Sequence, residues 1–194
     1  MLLEPNQLEL FSAQQLNSSR ASRREVLLMD ADALVRWKSQ IAAHQQRAKE
    51  SKSVQDTLLD FAAFNSTPVH CDPDAINPFS LRLYPTLFYR LPADSPGEAC
   101  IYFVLDNASH LVLYIGETAC SNKRWKGTHD CKRYIENYQD LHNRYGLKTA
   151  VNITFWWDAP SESWPRQQLE QALIQKWKSS FNKENWERWG QPFG

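Results

Sequence analysis

The sequence predicts an α+β fold: a small, mainly antiparallel three-stranded sheet flanked by helices, with a helical N-terminal extension. Three observations carry that expectation. Two short apolar, β-branched runs at residues 99–105 and 111–115 enclose the polar segment Asp106-Asn107-Ala108-Ser109-His110, which is the pattern of a hairpin. A third run at 151–157 alternates as a strand does. Helical segments fill the spaces around these runs, so strands and helices mix without the regular βαβ alternation of a parallel sheet.

Taken in order, residues 1–28 read as a tail and linker, rich in Ser, Gln, Asn and Arg over 12–24. Asp30 then suits a helix N-cap, and Leu34, Trp37 and Ile41 recur at helical spacing until the pattern fades near Ser51. A second short helix is expected over 54–64, where Leu58, Phe61 and Ala62 share a face. Pro68, Pro73 and Pro78 break the chain beyond it, and the apolar residues from Leu81 to Phe88, punctuated by Pro85, suggest extended chain. Residues 29–96 thus form a helical and extended region, and 97–194 a second unit of order β-β-α-α-β-α. In that unit Gly116 is expected to stop the second strand. Helices are expected at 121–129, 132–144 and 165–177, the last with Pro165 in its first turn and Leu169, Ala172, Leu173 and Trp177 on one side.

The bulk numbers exclude little. The chain of 194 residues fits one ordinary domain with a smaller extension, and its 42% hydrophobic and 23% charged residues are a normal globular balance. Net charge is zero, so no anionic partner is implied by the whole chain. Locally, Lys123, Arg124, Lys126, Lys132 and Arg133 face a single acid, Asp130, a cluster where a phosphate backbone can sit, although a solvated basic helix face would look the same. Trp125, Trp186 and Trp189 can stack on bases or fill a core. Four cysteines form no C-x-x-C pair and no signal peptide is evident, so reduced thiols and a cytoplasmic location are expected. A zinc site from Cys120, His129, Cys131 and His142 matches no common spacing. No apolar stretch is long enough to span a bilayer, so no membrane partner is expected.

The chemistry-bearing residues lie in the second half. Cys100-Ile101-Tyr102 is followed by Tyr114-Ile115-Gly116, Arg124 lies eight residues past Gly116, Glu170 opens an E-x-x-L-I run with Leu173 and Ile174, and Asn182 comes twelve residues after Glu170. Over residues 97–186 this ordered set resembles the GIY-YIG nucleases. The resemblance implies a metal-dependent endonuclease that hydrolyses phosphodiester bonds in DNA. It places one divalent ion, Mg²⁺ or Mn²⁺, on Glu170, and phosphate stabilisation on Arg124. It also implicates Tyr102 in activating water, and Asn182 completes the set of catalytic candidates. The residue types suit the task. A carboxylate is a hard ligand for Mg²⁺, and a guanidinium fork fits phosphate oxygens. Tyr102 and Tyr114, twelve apart, have the same parity on antiparallel strands and can share a face, one orienting or deprotonating water while the other contacts phosphate.

Two departures stand out. Cys100 occupies a position usually held by glycine, and Glu117 one often held by lysine. Thr128 lies a turn beyond Arg124, with His129 one residue further, so His129 reaches the site as proton acceptor only if the helix ends near Gly127. The metal's field is the other means of lowering the tyrosine's pKa. A catalytically idle nucleic-acid-binding module of the same fold is the competing function. Residues 1–96 can instead serve as a docking segment for a protein partner or a homodimer.

Overall fold

The computed structural model describes residues 29–50, 71–86, 97–121 and 130–190. In chain order these form α1 (Ala31–Glu50), a 3₁₀ turn (Pro78–Ser80), β1 (Tyr84–Pro85), β2 (Cys100–Asp106), β3 (Leu111–Thr118), α2 (Asp130–Tyr145), β4 (Val151–Trp156), α3 (Ser163–Trp177), a second 3₁₀ turn (Lys183–Asn185) and α4 (Trp186–Trp189). The α+β class holds. The sheet is antiparallel but has four strands rather than three, in the order β1-β4-β2-β3. The extra strand is the two-residue β1, pairing Tyr84 with Ile153 and Pro85 with Asn152. Proline is tolerated there because an edge strand has no second neighbour to bond.

Local chemistry sets several ends as expected. Asp30 Oδ1 accepts the Ala33 N–H at 2.7 Å, which is an N-cap, and Pro165 falls in the first turn of α3, where no intrahelical N–H is needed. Gly116 does not end its strand, because β3 continues to Thr118 with Gly116 paired to Tyr102. The helix expected over 54–64 lies outside the described residues, as does that over 121–129 except for Ser121.

β2 is buried at every position, which explains its unbroken apolar run. On one face Tyr102, Val104, Leu111, Leu113, Ile153 and Phe155 pack with Leu34, Trp37 and Ile41 of α1, and with Tyr134, Ile135, Tyr138 and Leu141 of α2. On the other, Ile101, Phe103, Leu105, Val112 and Ile115 meet Leu169, Leu173, Ile174 and Trp177 of α3. The described parts of 29–96 therefore share a core and a sheet with 97–194. A division at 96/97 does not separate two cores.

An exposed strand edge invites pairing with other chains. Here the outer edge of β3 is taken up by side chains and by the chain just after α3. Gln45 donates to the Val112 carbonyl at 2.9 Å and accepts the Val112 N–H at 2.8 Å. The Phe181 N–H donates to the Leu113 carbonyl, Asn182 engages both backbone groups of Ile115, and Glu170 Oε1 accepts the Glu117 N–H. Gln45 also donates to the Trp177 carbonyl at 3.0 Å, so α1 ties β3 to the end of α3. Gln45→Ala is expected to cost about 2–4 kcal/mol, since it leaves a buried backbone donor and two carbonyls without that partner. A fall in the urea midpoint that, multiplied by an unchanged m-value, gives that loss is the check; a loss under about 1 kcal/mol would mean water replaces the amide.

A second polar cluster pins α1 to the other end of the sheet. Asp106, fully buried, receives Lys38 Nζ at 3.1 Å and the Tyr138 hydroxyl at 2.7 Å, while its other oxygen takes the N–H groups of Ala108 and Ala150. Burial works to raise its pKa, but the Ala150 N–H, Tyr138 and Lys38 outweigh it and hold the carboxyl below its usual value. His142 sits with Nδ1 at 2.7 Å from the Tyr138 carbonyl and Nε2 at 2.8 Å from Lys38 Nζ. A carbonyl only accepts and an ammonium only donates, so the ring is neutral with its proton on Nδ1. Burial first, and the Lys38 charge as well, lower its pKa against the pull of the Tyr138 carbonyl.

Both folded pKa values lie below the unfolded ones. As pH falls the unfolded chain takes up protons first, so the stability is present above the unfolded pKa and is lost on acidification. The window opens below the ordinary value of 6.5 for His142 and below 3.8 for Asp106. His44, whose pKa is lowered by burial, acts in the same direction. Stability should therefore drop as pH falls through and below 6.5, and His142→Gln should flatten part of that slope. An unaltered slope in denaturation curves of the variant would remove His142 from this account. Among the described residues no helix is long and apolar enough to cross a membrane.

Candidate functional site

The hairpin places its two tyrosines by an irregularity. Register runs Tyr102↔Gly116, Phe103↔Ile115 and Val104↔Tyr114, then shifts so that Leu105 faces Val112 and Asp106 faces Leu111. Leu113 is the extra residue, a β-bulge. Tyr102 and Tyr114 consequently lie on one face as diagonal neighbours, with ring centroids 6.0 Å apart and planes 28° from parallel. Tyr102 is fully buried, while Tyr114 is half-buried and lines an open cleft.

That cleft, about 630 Å³, is bordered among the described residues by Tyr114 on β3, Glu170 on α3, Asn182, Lys183 and Glu184 after it, and Asp130 and Arg133 at the start of α2. Glu170, half-buried, accepts the Glu117 N–H on Oε1 at 3.1 Å. Asn182 is buried: its Oδ1 accepts the Ile115 N–H at 2.9 Å and the Ser179 hydroxyl at 2.7 Å, and its Nδ2 donates to the Ile115 carbonyl at 2.9 Å. Its amide is thus spent on holding β3, and it borders the cleft as a clamp. Asp130 lies between two cations, 3.9 Å from Arg133 and 3.5 Å from Lys183, all three more than half exposed.

Of the residues the sequence singled out, Tyr102, Tyr114, Glu170 and Asn182 come together, and Arg133 joins them. Lys132 does not border the cleft. Arg124, His129, Lys123 and Lys126 lie outside the described residues, with Trp125. Trp186 and Trp189 pack against the core, and the Trp189 indole donates to the Lys178 carbonyl at 2.6 Å. Cys100 is fully buried. Burial, with Glu117 adding to it, pushes its thiol up to about 12, so it stays protonated and inert.

Sequence reasoning missed Arg166 and Lys183. Lys183 had a signal, its place beside Asn182. Arg166 had one as well: it lies four residues before Glu170, on the same helix face.

Among the described residues no three His, Cys, Asp or Glu side chains gather as a metal cage, and His142 of the zinc grouping spends both ring nitrogens on Tyr138 and Lys38. The Glu170 carboxylate on a roomy cleft nevertheless suits Mg²⁺ or Mn²⁺. Such ions retain waters and take one or two carboxylates plus substrate phosphate. The Glu117 N–H occupies only one of the roughly four lone-pair positions of a carboxylate, so it is compatible with ligation. Compared with known protein families, curated proteins and solved structures, the chain gives no match.

Proposed function

We propose that the chain is a metal-dependent endonuclease of the GIY-YIG type, acting on the phosphodiester backbone of DNA. The observation that supports it most is the meeting of Tyr114, Glu170 and Arg133 on one open cleft, with Tyr102 stacked behind Tyr114. Three distant sequence segments supply those groups, and core packing does not require a carboxylate and a guanidinium at the same opening.

In this reading water attacks phosphorus, the bridging P–O bond breaks, and a phosphate monoester and a hydroxyl result. Glu170 would hold a divalent ion, which when bound supplies positive charge to a phosphoryl oxygen. Arg133 and Lys183 grip neighbouring phosphates once the substrate displaces Asp130 from between them. Tyr114 is the hydroxyl that reaches the cleft, to orient water or touch phosphate. Tyr102 fixes the plane of that ring from behind, and Asn182 fixes the strand that carries it. Arg124 is assigned the transition-state charge, and His129 or the field of the ion the lowering of the tyrosine pKa. Nicking of supercoiled plasmid in Mg²⁺ or Mn²⁺, absent in EDTA, is the test. Retained DNA binding with no nicking under either ion would favour an idle binding module instead.

A further inference from the structure

Arg166 is a charged residue only 2% exposed, which a protein tolerates when the charge is paired and its donors are used. The charge is paired with Glu117, and the Nε and Nη1 donors are used. Its Nε donates to Glu117 Oε2 at 2.5 Å, and its Nη1 to the carbonyls of Pro160, Ser161 and Glu162 at 2.9, 2.8 and 3.3 Å. Those carbonyls belong to the connection between β4 and α3. One guanidinium therefore fastens that connection to the end of β3.

The pairing does more than close the end of the sheet. Glu117 contributes its carboxylate to Arg166 and its backbone N–H to Glu170. Arg166 and Glu170 lie one turn apart on α3. A closed circuit results: Arg166 side chain, Glu117 carboxylate, Glu117 N–H, Glu170 carboxylate, and back along one helical turn. A glutamate side chain has several rotatable bonds, so a carboxylate left to itself must be ordered when it takes up a ligand. Here one donor to it, the Glu117 N–H, belongs to a residue held by a buried ion pair.

We infer that Arg166 and Glu117 are positioning residues for Glu170, the carboxylate that binds the divalent ion. The inference rests on the metal-dependent reading of the cleft. It also gives Glu117 a role of its own. Its carboxylate and its backbone N–H together link Arg166 to the metal ligand. Removing partners of this kind from metal ligands elsewhere weakens metal binding by about 10–100-fold.

Two variants of the full chain test this. Glu117→Gln keeps an acceptor for Arg166 but loses the charge. The double variant Glu117→Gln with Arg166→Met removes both charges together, avoiding the uncompensated buried ion that a single deletion leaves. Mn²⁺ binding is monitored by the EPR signal of the free ion beside a non-cleavable phosphorothioate duplex. Mg²⁺ dependence of plasmid nicking and the melting temperature are measured alongside. Both variants are expected to raise the half-saturating metal concentration about 10–100-fold, with the rate at saturating metal and the DNA affinity in EDTA near wild type. Unchanged metal half-saturation in folded Glu117→Gln, whatever its melting temperature, would reduce the pair to scaffold and overturn the inference. A wild-type chain that neither takes up Mn²⁺ nor nicks DNA would overturn the underlying reading with it. So would Glu170→Gln with intact Mn²⁺ uptake, because the ion would then lie elsewhere.

Discussion

Glu170→Gln is expected to abolish metal-dependent cleavage while leaving fold and DNA binding in place. The amide has nearly the volume of the acid, and its oxygen can still accept the Glu117 N–H, so the contact seen at 3.1 Å survives. What disappears is the negative charge. Mg²⁺ holds hard anionic oxygens against strong competition from water, and a neutral amide oxygen competes poorly. Asp130 and Glu184 also border the cleft, but Asp130 is engaged by Arg133 and Lys183. The rate should fall by at least about 10²–10³-fold, the scale of removing one charge-stabilising group from a transition state. Stability should move little, because Glu170 is only half-buried. Plasmid nicking at saturating Mg²⁺ decides the matter: a rate within a few-fold of wild type would take the metal off Glu170.

The sequence carried the elements further than it carried their attachments. Hairpin, third strand and the helices expected over 132–144 and 165–177 are legible in apolar runs and helical spacing, and they fall close to the expected limits. The shared face of the tyrosines was harder. Equal parity decides a face only when the register is known. Continued unbroken, the pairing set by Leu105 with Val112 would put Tyr114 opposite Phe103, on the side of α3. The extra residue, Leu113, turns Tyr114 to the side of Tyr102, and no composition signal marks a bulge in an apolar run. The fourth strand escaped notice because two residues show no period. The role of α1 was hidden for another reason. Gln45 and Lys38 act on partners 67 and 68 residues away through polar side chains, which leave no trace in hydrophobic patterning. Arg166 reads as a solvated helix residue until the Glu117 carboxylate is seen beside it.

Gly116→Ala should cost both stability and cleavage, and Tyr102 is the reason. A Cβ at Gly116 would lie 2.3 Å from Tyr102 Cζ, 2.3 Å from its hydroxyl oxygen and 2.8 Å from Cε1, where real Cβ contacts do not fall below 3.0 Å. The glycine is there to let the ring cross its backbone, since the two residues are paired directly across the hairpin. Tyr102 is fully buried and stacked against Tyr114, so the ring has no open space to move into. Overpacking of this kind costs about 1–3 kcal/mol, and the displaced ring would carry Tyr114 out of its place on the cleft. Cleavage should therefore fall together with stability. The cause can be isolated. Tyr102→Phe removes the hydroxyl but leaves Cζ, so Gly116→Ala in that background should remain destabilising. Tyr102→Leu removes the ring, and adding Gly116→Ala to it should cost far less than in the wild-type chain. The two substitutions should then couple by about 1–3 kcal/mol in a double-mutant cycle. Additive losses in urea denaturation would show that the alanine acts through the backbone of β3 and not through Tyr102. Cleavage should stay lost in the Tyr102→Leu background even where stability is regained, because the ring that supports Tyr114 is gone.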